Sequence, residues 1–301
     1  MKILYFTNIF PHYRTPIWKE LINSNQFSIE FFYSKSKLNQ IEGVNLEKTF
    51  GHENISKFHY IKNYKIFGHI VWQSMSIKKA IFSNYDIIIL LGDMKILSNW
   101  IISLISHFRN KKVIFWTHGI YGNEGYFKKK LRLLFLSLSH KILLYENNAK
   151  NQLVMSGFNP NDLHVVYNSL DFNIQKKLFE DLLQKQHFQK NNRKKIFFIG
   201  RLTKIKKLDM LIKVINRLNE NLPLYDLKLI GDGPERPYLK SLSKKGIQNG
   251  YITFFGPLYN EEKIAKLIFD SDLCVAPGNI GLTCIHSLTY GTPVCTHSNI
   301  I

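Results

Sequence analysis

The stretch APGNIGLTCIHSLTYGTPV, Ala276 to Val294, decides the fold. The apolar run that leads into it, Leu273 to Ala276, reads as a buried strand of a parallel sheet. Pro277, Gly278, Asn279 and Gly281 then make a turn in which the backbone can approach a ligand closely. Leu282, Ile285 and Leu288 repeat at helical spacing, which predicts a helix that starts near Leu282 and stops at Gly291 and Pro293. Strand, glycine turn and helix start together form an anion site, because unpaired N–H groups and the positive dipole end face one point. A parallel αβ connection also needs glycine for plain geometric reasons, so both readings of this turn stay open.

The alternation extends outward over the whole chain. In the first half the candidate strands are KILYFTN, SIEFFY, FHYIKN, DIIILLG, KVIFWTHG, KILLYEN and HVVYN. Helical patterns over 15–23, 70–83, 95–109, 126–139 and 150–156 lie between them. The second half restarts with KIFFIG, LKLIG, YITFFG, LCVAP and PVCTH, separated by helices over 207–219, 236–245 and 261–269. Leu208, Leu211, Ile212, Ile215 and Leu218 give the first of these one apolar face. A polar interval that ends in KQHFQKNNRKK separates the halves. Strands alternating with helices predict an α/β protein of two Rossmann-like doubly wound domains, residues 1–172 and 195–301, joined by a linker over 173–194. Ligands of such domains sit at the carboxyl ends of the strands, so the expected active region is a cleft between the two. The last strand is followed by no helix, which leads to the expectation that the second domain is incomplete and exposes an apolar face.

With 301 residues and 45% hydrophobic side chains, the chain can bury one large core or two ordinary ones. It contains no run of eighteen apolar residues, and MKILYFTNIF breaks too early for a signal peptide, so the expected location is cytoplasmic. Cys274, Cys284 and Cys295 sit singly on apolar patterns and read as reduced core residues. The net charge of +19 points to an anionic partner. One basic, apolar segment stands out, FKKKLRLLFLSLSHK from Phe127 to Lys141. It suits either a helix lying on an anionic membrane or a core helix with a solvated basic end. No nucleic-acid-binding motif accompanies the charge.

Chemistry-bearing residues gather at strand ends. Gly200-Arg201 closes one strand and Lys206 follows five residues later, a fork and a point charge suited to a diphosphate. Gly231, Gly256 and Gly278 close the next three. In the first half, Thr117-His118-Gly119 closes a strand, and His118 could serve as a base or bind a phosphate or hydroxyl. Asp93 follows Gly92 at another strand end, suited to a hydroxyl or to capping the next helix. Asp270-Ser271-Asp272 has the look of a metal-binding DxD, but it precedes a strand on the edge away from the cleft. No other cluster suggests a metal.

These residues make the second half resemble the donor domain of retaining GT-B glycosyltransferases of the GT4 group, the glycosyl transferases group 1. The matching pieces are GRLTKIKKLDMLI, LIGDGPERPYL, ITFFGPL and the stretch quoted first, in the family's order. PHYRTP, THG and VVYNSLD agree more weakly in the first half. The resemblance implies a metal-independent transferase with no cofactor, which moves a sugar with retention from a nucleotide-diphospho-sugar to a glycan or lipid-linked acceptor. It implies that Arg201 and Lys206 hold the diphosphate, that His118 lies near the reacting sugar, and that Gly256, Pro257 and Leu258 meet the base. Gly200, Gly231, Gly278, Asn279, Gly281, Leu282, Thr283 and His286 complete the donor side, with His12, Arg14 and Asp93 on the acceptor side. Partners would then be the nucleotide sugar, the acceptor and the inner membrane face, but no nucleic acid. Many members carry two glutamates eight residues apart where this chain has Gly278 and His286, and FPHYRTP replaces a glycine-rich loop. Against the family's pattern the expectation is also that a C-terminal closing segment is missing, and the competing reading is a truncated, non-catalytic remnant that at most binds nucleotide sugar weakly.

Overall fold

The computed structural model describes residues 1–34, 44–66, 68, 70–120, 124–168, 170–185 and 193–298, the His12 side chain excepted. The chain forms two compact units, Met1–Asn168 and Ser169–Ile300. The first runs β1 (Lys2–Phe6), α1 (Thr15–Asn23), β2 (Ser28–Tyr33), α2 (Leu46–Phe50), β3 (Phe58–Tyr60), β4 (Tyr64–Ile66), β5 (Ile70–Trp72) and α3 (Ser74–Phe82). It continues with β6 (Ile87–Leu91), α4 (Leu97–Phe108), β7 (Lys112–Thr117), α5 (Tyr126–Leu136), β8 (Lys141–Leu144), α6 (Asn147–Met155) and β9 (Leu163–Val165). Among the described residues, seven strands form a sheet in the order β3-β2-β1-β6-β7-β8-β9. Every pairing in it is parallel. These are the seven strands that the sequence patterns predict.

Side chains alternate across this sheet, as strand geometry demands. Leu4, Phe6, Leu90 and Phe115 pack on one face, and Ile3, Tyr5, Ile89 and Trp116 on the other. The pattern expected to be one helix over 70–83 is instead β5, paired antiparallel to β4, and then α3. Ile70, Val71 and Trp72 are β-branched or aromatic and favour the hairpin. The helix expected over 126–139 stops at Leu136, where the Ser137 and Ser139 hydroxyls donate to the Leu134 and Leu136 carbonyls.

The second unit runs α7 (Phe172–Gln184), β10 (Lys194–Ile199), α8 (Leu208–Leu218), β11 (Tyr225–Ile230), α9 (Arg236–Leu242) and α10 (Lys244–Gln248). Then follow β12 (Ile252–Gly256), α11 (Glu261–Phe269), β13 (Leu273–Ala276), α12 (Thr283–Thr289) and β14 (Val294–Thr296). Its described strands form a five-stranded parallel sheet in the order β12-β11-β10-β13-β14. Ile196 and Phe198 point to the α8 side with Leu208, Leu211, Ile212 and Ile215. Leu218, expected on that apolar face, lies exposed at the helix end.

Three expectations are corrected here. Part of the expected linker over 173–194 is α7, a helix of the second unit, while 186–192 lies outside the described residues. The apolar face expected to be bare is covered: Phe197, Ile199, Ile264 and Ile268 pack with Leu178, Phe179 and Leu182 of α7. Buried Gln175 donates to the Glu261 carboxylate at 2.7 Å, which also accepts from the Tyr290 hydroxyl at 2.8 Å, so α7 is tied to α11 and α12. A helix before the first strand thus does what a closing helix after the last would do. The cysteine expectation is corrected as well: only Cys274 is buried, Cys284 is half-buried and Cys295 exposed, because β14 is an edge strand.

If α7 closes the second core, Phe179→Ala should lower the unfolding free energy by about 2–4 kcal/mol in urea titration. Phe172→Ala, at a position 62% exposed on the same helix, should change it by less than about 0.5 kcal/mol.

Candidate functional site

In the second sheet β10 pairs with both β11 and β13, so the strand order reverses there. The carboxyl ends of such neighbours are where open α/β sheets leave a crevice. Those ends carry Gly200-Arg201 and Pro277-Gly278. The loops meet backbone to backbone. Gly231 N–H donates to Gly256 O at 2.8 Å, Leu202 N–H to Asp232 O at 2.9 Å, and Gly278 N–H to Lys206 O at 3.2 Å. A Cβ on Gly231 would lie 1.9 Å from Gly200 O, and one on Gly278 would lie 2.1 Å from Ile205 O. Gly278 is therefore required by the neighbouring loop, before any ligand is considered. Gly281 has φ 57°, a left-handed conformation that glycine adopts at low cost.

Lys206 ends the short 3₁₀ turn Lys204–Lys206. Its Nζ donates to Asn279 O at 2.5 Å and to Ile280 O at 3.4 Å, which leaves one of three donors. Burial, and secondarily the Arg201 charge, hold its pKa below the usual lysine value. Among the described residues neither Arg201 nor Lys206 forms an ion pair. Two cations side by side with no carboxylate are poised for an anion.

The helix at this edge differs from its expected form. α12 begins at Thr283, and its buried face is Thr283 and Ser287 rather than Leu282, Ile285 and Leu288; Leu288 is exposed. The Thr283 hydroxyl donates to Ile199 O at 2.5 Å and the Ser287 hydroxyl to Thr292 O at 2.8 Å. Small polar side chains let the helix lie close on the strand end. Leu282 precedes α12, and His286 is half-buried within it. Pro257 is exposed after β12, whereas Leu258 leans into the core. Arg236 went unnoticed in the sequence. Its Nη2 lies 3.5 Å from where a Gly256 Cβ would sit, and it pairs with Asp232 at 3.3 Å. The i, i+4 spacing within GDGPER was the available signal.

Asp272 of the DxD lies at the amino edge, where its carboxylate accepts the Lys195 N–H at 2.7 Å. Among the described residues no group of three or more His, Cys, Asp or Glu side chains could hold a metal ion.

The first sheet reverses between β1 and β6. After β6, a Gly92 Cβ would press to 2.5 Å from the Thr117 Cβ, and Asp93 accepts the Lys95 N–H at 3.0 Å as a turn cap. After β1 comes Arg14, only 9% exposed. Its Nη2 donates to the Tyr145 hydroxyl at 2.5 Å, and its guanidinium lies 5.0 Å from the Trp116 and Tyr145 ring centres. Such ring contacts contribute about 1–2 kcal/mol, less than the several kcal/mol that burying an unpaired charge costs. His118 keeps solvent access, with its ring 4.3 Å from that of Tyr145. Desolvation, and after it the Arg14 charge, hold its pKa below the usual value. Tyr145 and Trp116 were missed as site residues because strand-end aromatics look like core. The His12 side chain lies outside the described residues.

Residues 179–300 match the model of the family described as glycosyl transferases group 1. An uncharacterized glycosyltransferase of Methanocaldococcus jannaschii is 27% identical over 249 residues, which are 74% of this chain and 61% of that protein. The chain thus spans less than two thirds of that relative's length. In fold it is similar to the lipopolysaccharide outer core galactosyltransferase WaaB, at 14% identity and a TM-score of 0.63 over 98% of this chain and 80% of the other. Anabaena HepE in complex with UDP and glucose is similar at 17% identity, with a TM-score of 0.62 and the same two coverages. The GT-B fold class expected from the sequence, with its two Rossmann-like domains, is borne out.

Gly278→Ala should lower stability by about 1–3 kcal/mol, because backbone rather than a flexible side chain must move, whereas Gly125→Ala, facing open space, should be neutral within about 0.5 kcal/mol. His118, followed by NMR, should titrate below 6.5, and Arg14→Gln should raise its pKa only part of the way. With the folded value below the unfolded one, the neutral ring's share of stability is full above about pH 6.5 and is lost as pH falls through the folded pKa.

Proposed function

We propose that this chain, whose second unit belongs to the glycosyl transferases group 1, transfers a sugar from a nucleotide-diphospho-sugar to a glycan or lipid-linked acceptor in cell-surface polysaccharide synthesis. The observation that carries this reading is the pair Arg201 and Lys206, set at the glycine-lined switch point of the second sheet with no ion-pair partner among the described residues. Negative charge grows on the diphosphate as its bond to the sugar breaks. Two fixed cations offset that charge in a partly dehydrated place, where each interaction is stronger than in water. They supply the charge that a divalent ion supplies elsewhere, so we read the reaction as metal-independent and without a cofactor. On this reading the backbone of Gly281, Leu282 and Thr283 receives the sugar and phosphates, and Gly256 to Leu258 the base. Retention of anomeric configuration is proposed from the family. That HepE was solved with UDP and glucose favours a uridine nucleotide as the first donor to try.

We further read the first unit as docking on an anionic membrane surface. α4 and α5 pack together, with Trp100 and Phe135 ring centres 4.9 Å apart. Leu104 and Phe108 on α4 and Phe127, Leu131 and Leu134 on α5 are exposed, beside the exposed Lys128, Lys129 and Lys130. Apolar side chains beside a cluster of lysines suit an interfacial helix. No helix among the described residues is long and apolar enough to cross a membrane.

The decisive measurement is thermal unfolding with UDP, GDP, ADP and their sugar conjugates. One nucleotide at about 100 times its Kd should stabilise the chain by about 2.7 kcal/mol, seen as a rise of several degrees. Lys206→Met and Arg201→Gln should each remove most of that shift, and EDTA none. A melt that no nucleotide moves overturns the donor-site reading. For docking, sedimentation with phosphatidylglycerol vesicles should fall steeply when Phe108 and Phe127 become serine, and duplex DNA should not compete.

A further inference from the structure

Among the described residues, Arg14 is a buried cation without a carboxylate partner. Its contacts among the described residues are neutral aromatics: Tyr145, which accepts one hydrogen bond, and the Trp116, Tyr145 and Tyr13 rings. Its Nε is buried and meets no hydrogen-bond acceptor. α1, which starts directly after it, has no acidic residue in its first turn. Arg132, the other deeply buried arginine of this unit, is handled quite differently. There Glu124 answers with two hydrogen bonds, at 2.8 and 2.7 Å. Among the described residues the fold therefore supplies a carboxylate to Arg132, where the buried guanidinium is structural, and none to Arg14.

The unmet Nε belongs to the fork that guanidinium groups offer to two oxygens of an oxyanion. Arg14 also stands at a sheet switch point and within electrostatic reach of His118, whose ring keeps solvent access. A carboxylate would be used up by the fork, whereas a phosphate keeps an oxygen for His118.

We propose that Arg14, with Tyr145 and His118, forms an oxyanion site in the first unit that takes a phosphate group carried by the acceptor. This rests on the transferase reading above and narrows it: the acceptor is a phosphorylated sugar or a lipid phosphate. Tyr145 and the Trp116 ring are positioning residues that hold the guanidinium.

All four tryptophans, Trp18, Trp72, Trp100 and Trp116, lie in the first unit, so their emission reports that unit. The test titrates the full chain with inorganic phosphate, glycerol 3-phosphate, acetate and UDP, reading tryptophan emission and thermal unfolding together. Both phosphates should change the emission, and Trp116→Phe should remove most of the change. Arg14→Gln should weaken phosphate binding about tenfold or more, as loss of a charge-assisted fork requires, and leave the UDP-induced rise in Tm intact. Lys206→Met should do the reverse. Arg14→Lys, which keeps the charge without the fork, should recover only part of the affinity. That variant and the wild-type titration decide the matter if Arg14→Gln fails to fold. The proposal is overturned if phosphate leaves the emission unchanged or if Arg14→Gln binds phosphate as the wild type does. It also fails if acetate competes equally, which would make the group a carboxylate. Loss of the UDP shift in Arg14→Gln would assign the site to the donor diphosphate instead. A missing UDP shift in the wild type would sink the transferase reading by itself, since the phosphate arm is read separately.

Discussion

The second unit depends on how closely its strand-end loops approach one another. The segments after β10, β11 and β13 touch through backbone atoms, and a single methyl group at Gly231 or Gly278 would fall within about 2 Å of a carbonyl oxygen. That closeness brings the Lys206 ammonium onto the Asn279 and Ile280 carbonyls and keeps it half out of water. It also explains why α12 turns threonine and serine, not leucine, toward the sheet: a bulky side chain at Thr283 would push the helix off Ile199. Geometry that looks made for a ligand is first of all geometry that lets three loops share one place. The two demands agree, because a ligand at that edge also needs bare backbone.

The positive charges of this chain sort by what answers them. Arg132 is buried and fully paired with Glu124, and Arg236 pairs with Asp232, so both hold structure. Arg201, Lys206 and Arg14 stand at switch points and form no ion pair among the described residues. A charge without a partner raises the free energy of the folded state, the more so where water is excluded. Placing it at the mouth of a crevice is tolerable when a ligand of opposite sign lowers that cost on binding. The net charge of +19 shows an excess without showing where it matters. Burial and pairing show that.

α7 shows how a parallel sheet can be covered out of chain order. Its residues precede the first strand of their unit, yet Leu178, Phe179 and Leu182 fill the face beside α11 and α12. The Gln175–Glu261–Tyr290 bonds set its position by polar contact, which apolar packing alone leaves free to slide. The unit boundary falls before the helix, although the composition changes after it.

Strand periodicity in the sequence was enough for the architecture. Each of the twelve expected strands, from KILYFTN to PVCTH, lies in one of the two parallel sheets, because alternation and continuous apolar runs are local properties of a chain buried on both sides. The strand-end glycines, Arg201 and His118 were legible for the same reason, since each follows its strand directly, and Lys206 lies in the loop that Gly200-Arg201 opens. Tertiary structure alone decided the rest. Whether Gly278 serves a ligand or a neighbouring loop depends on Ile205, seventy-three residues away in the chain. Whether α7 is linker or core depends on Glu261, and whether Arg14 is surface charge or a buried cation depends on Trp116 and Tyr145. Periodicity reports what one segment buries. It carries no information on which distant segment meets it, and burial, pairing and pKa are set by that meeting.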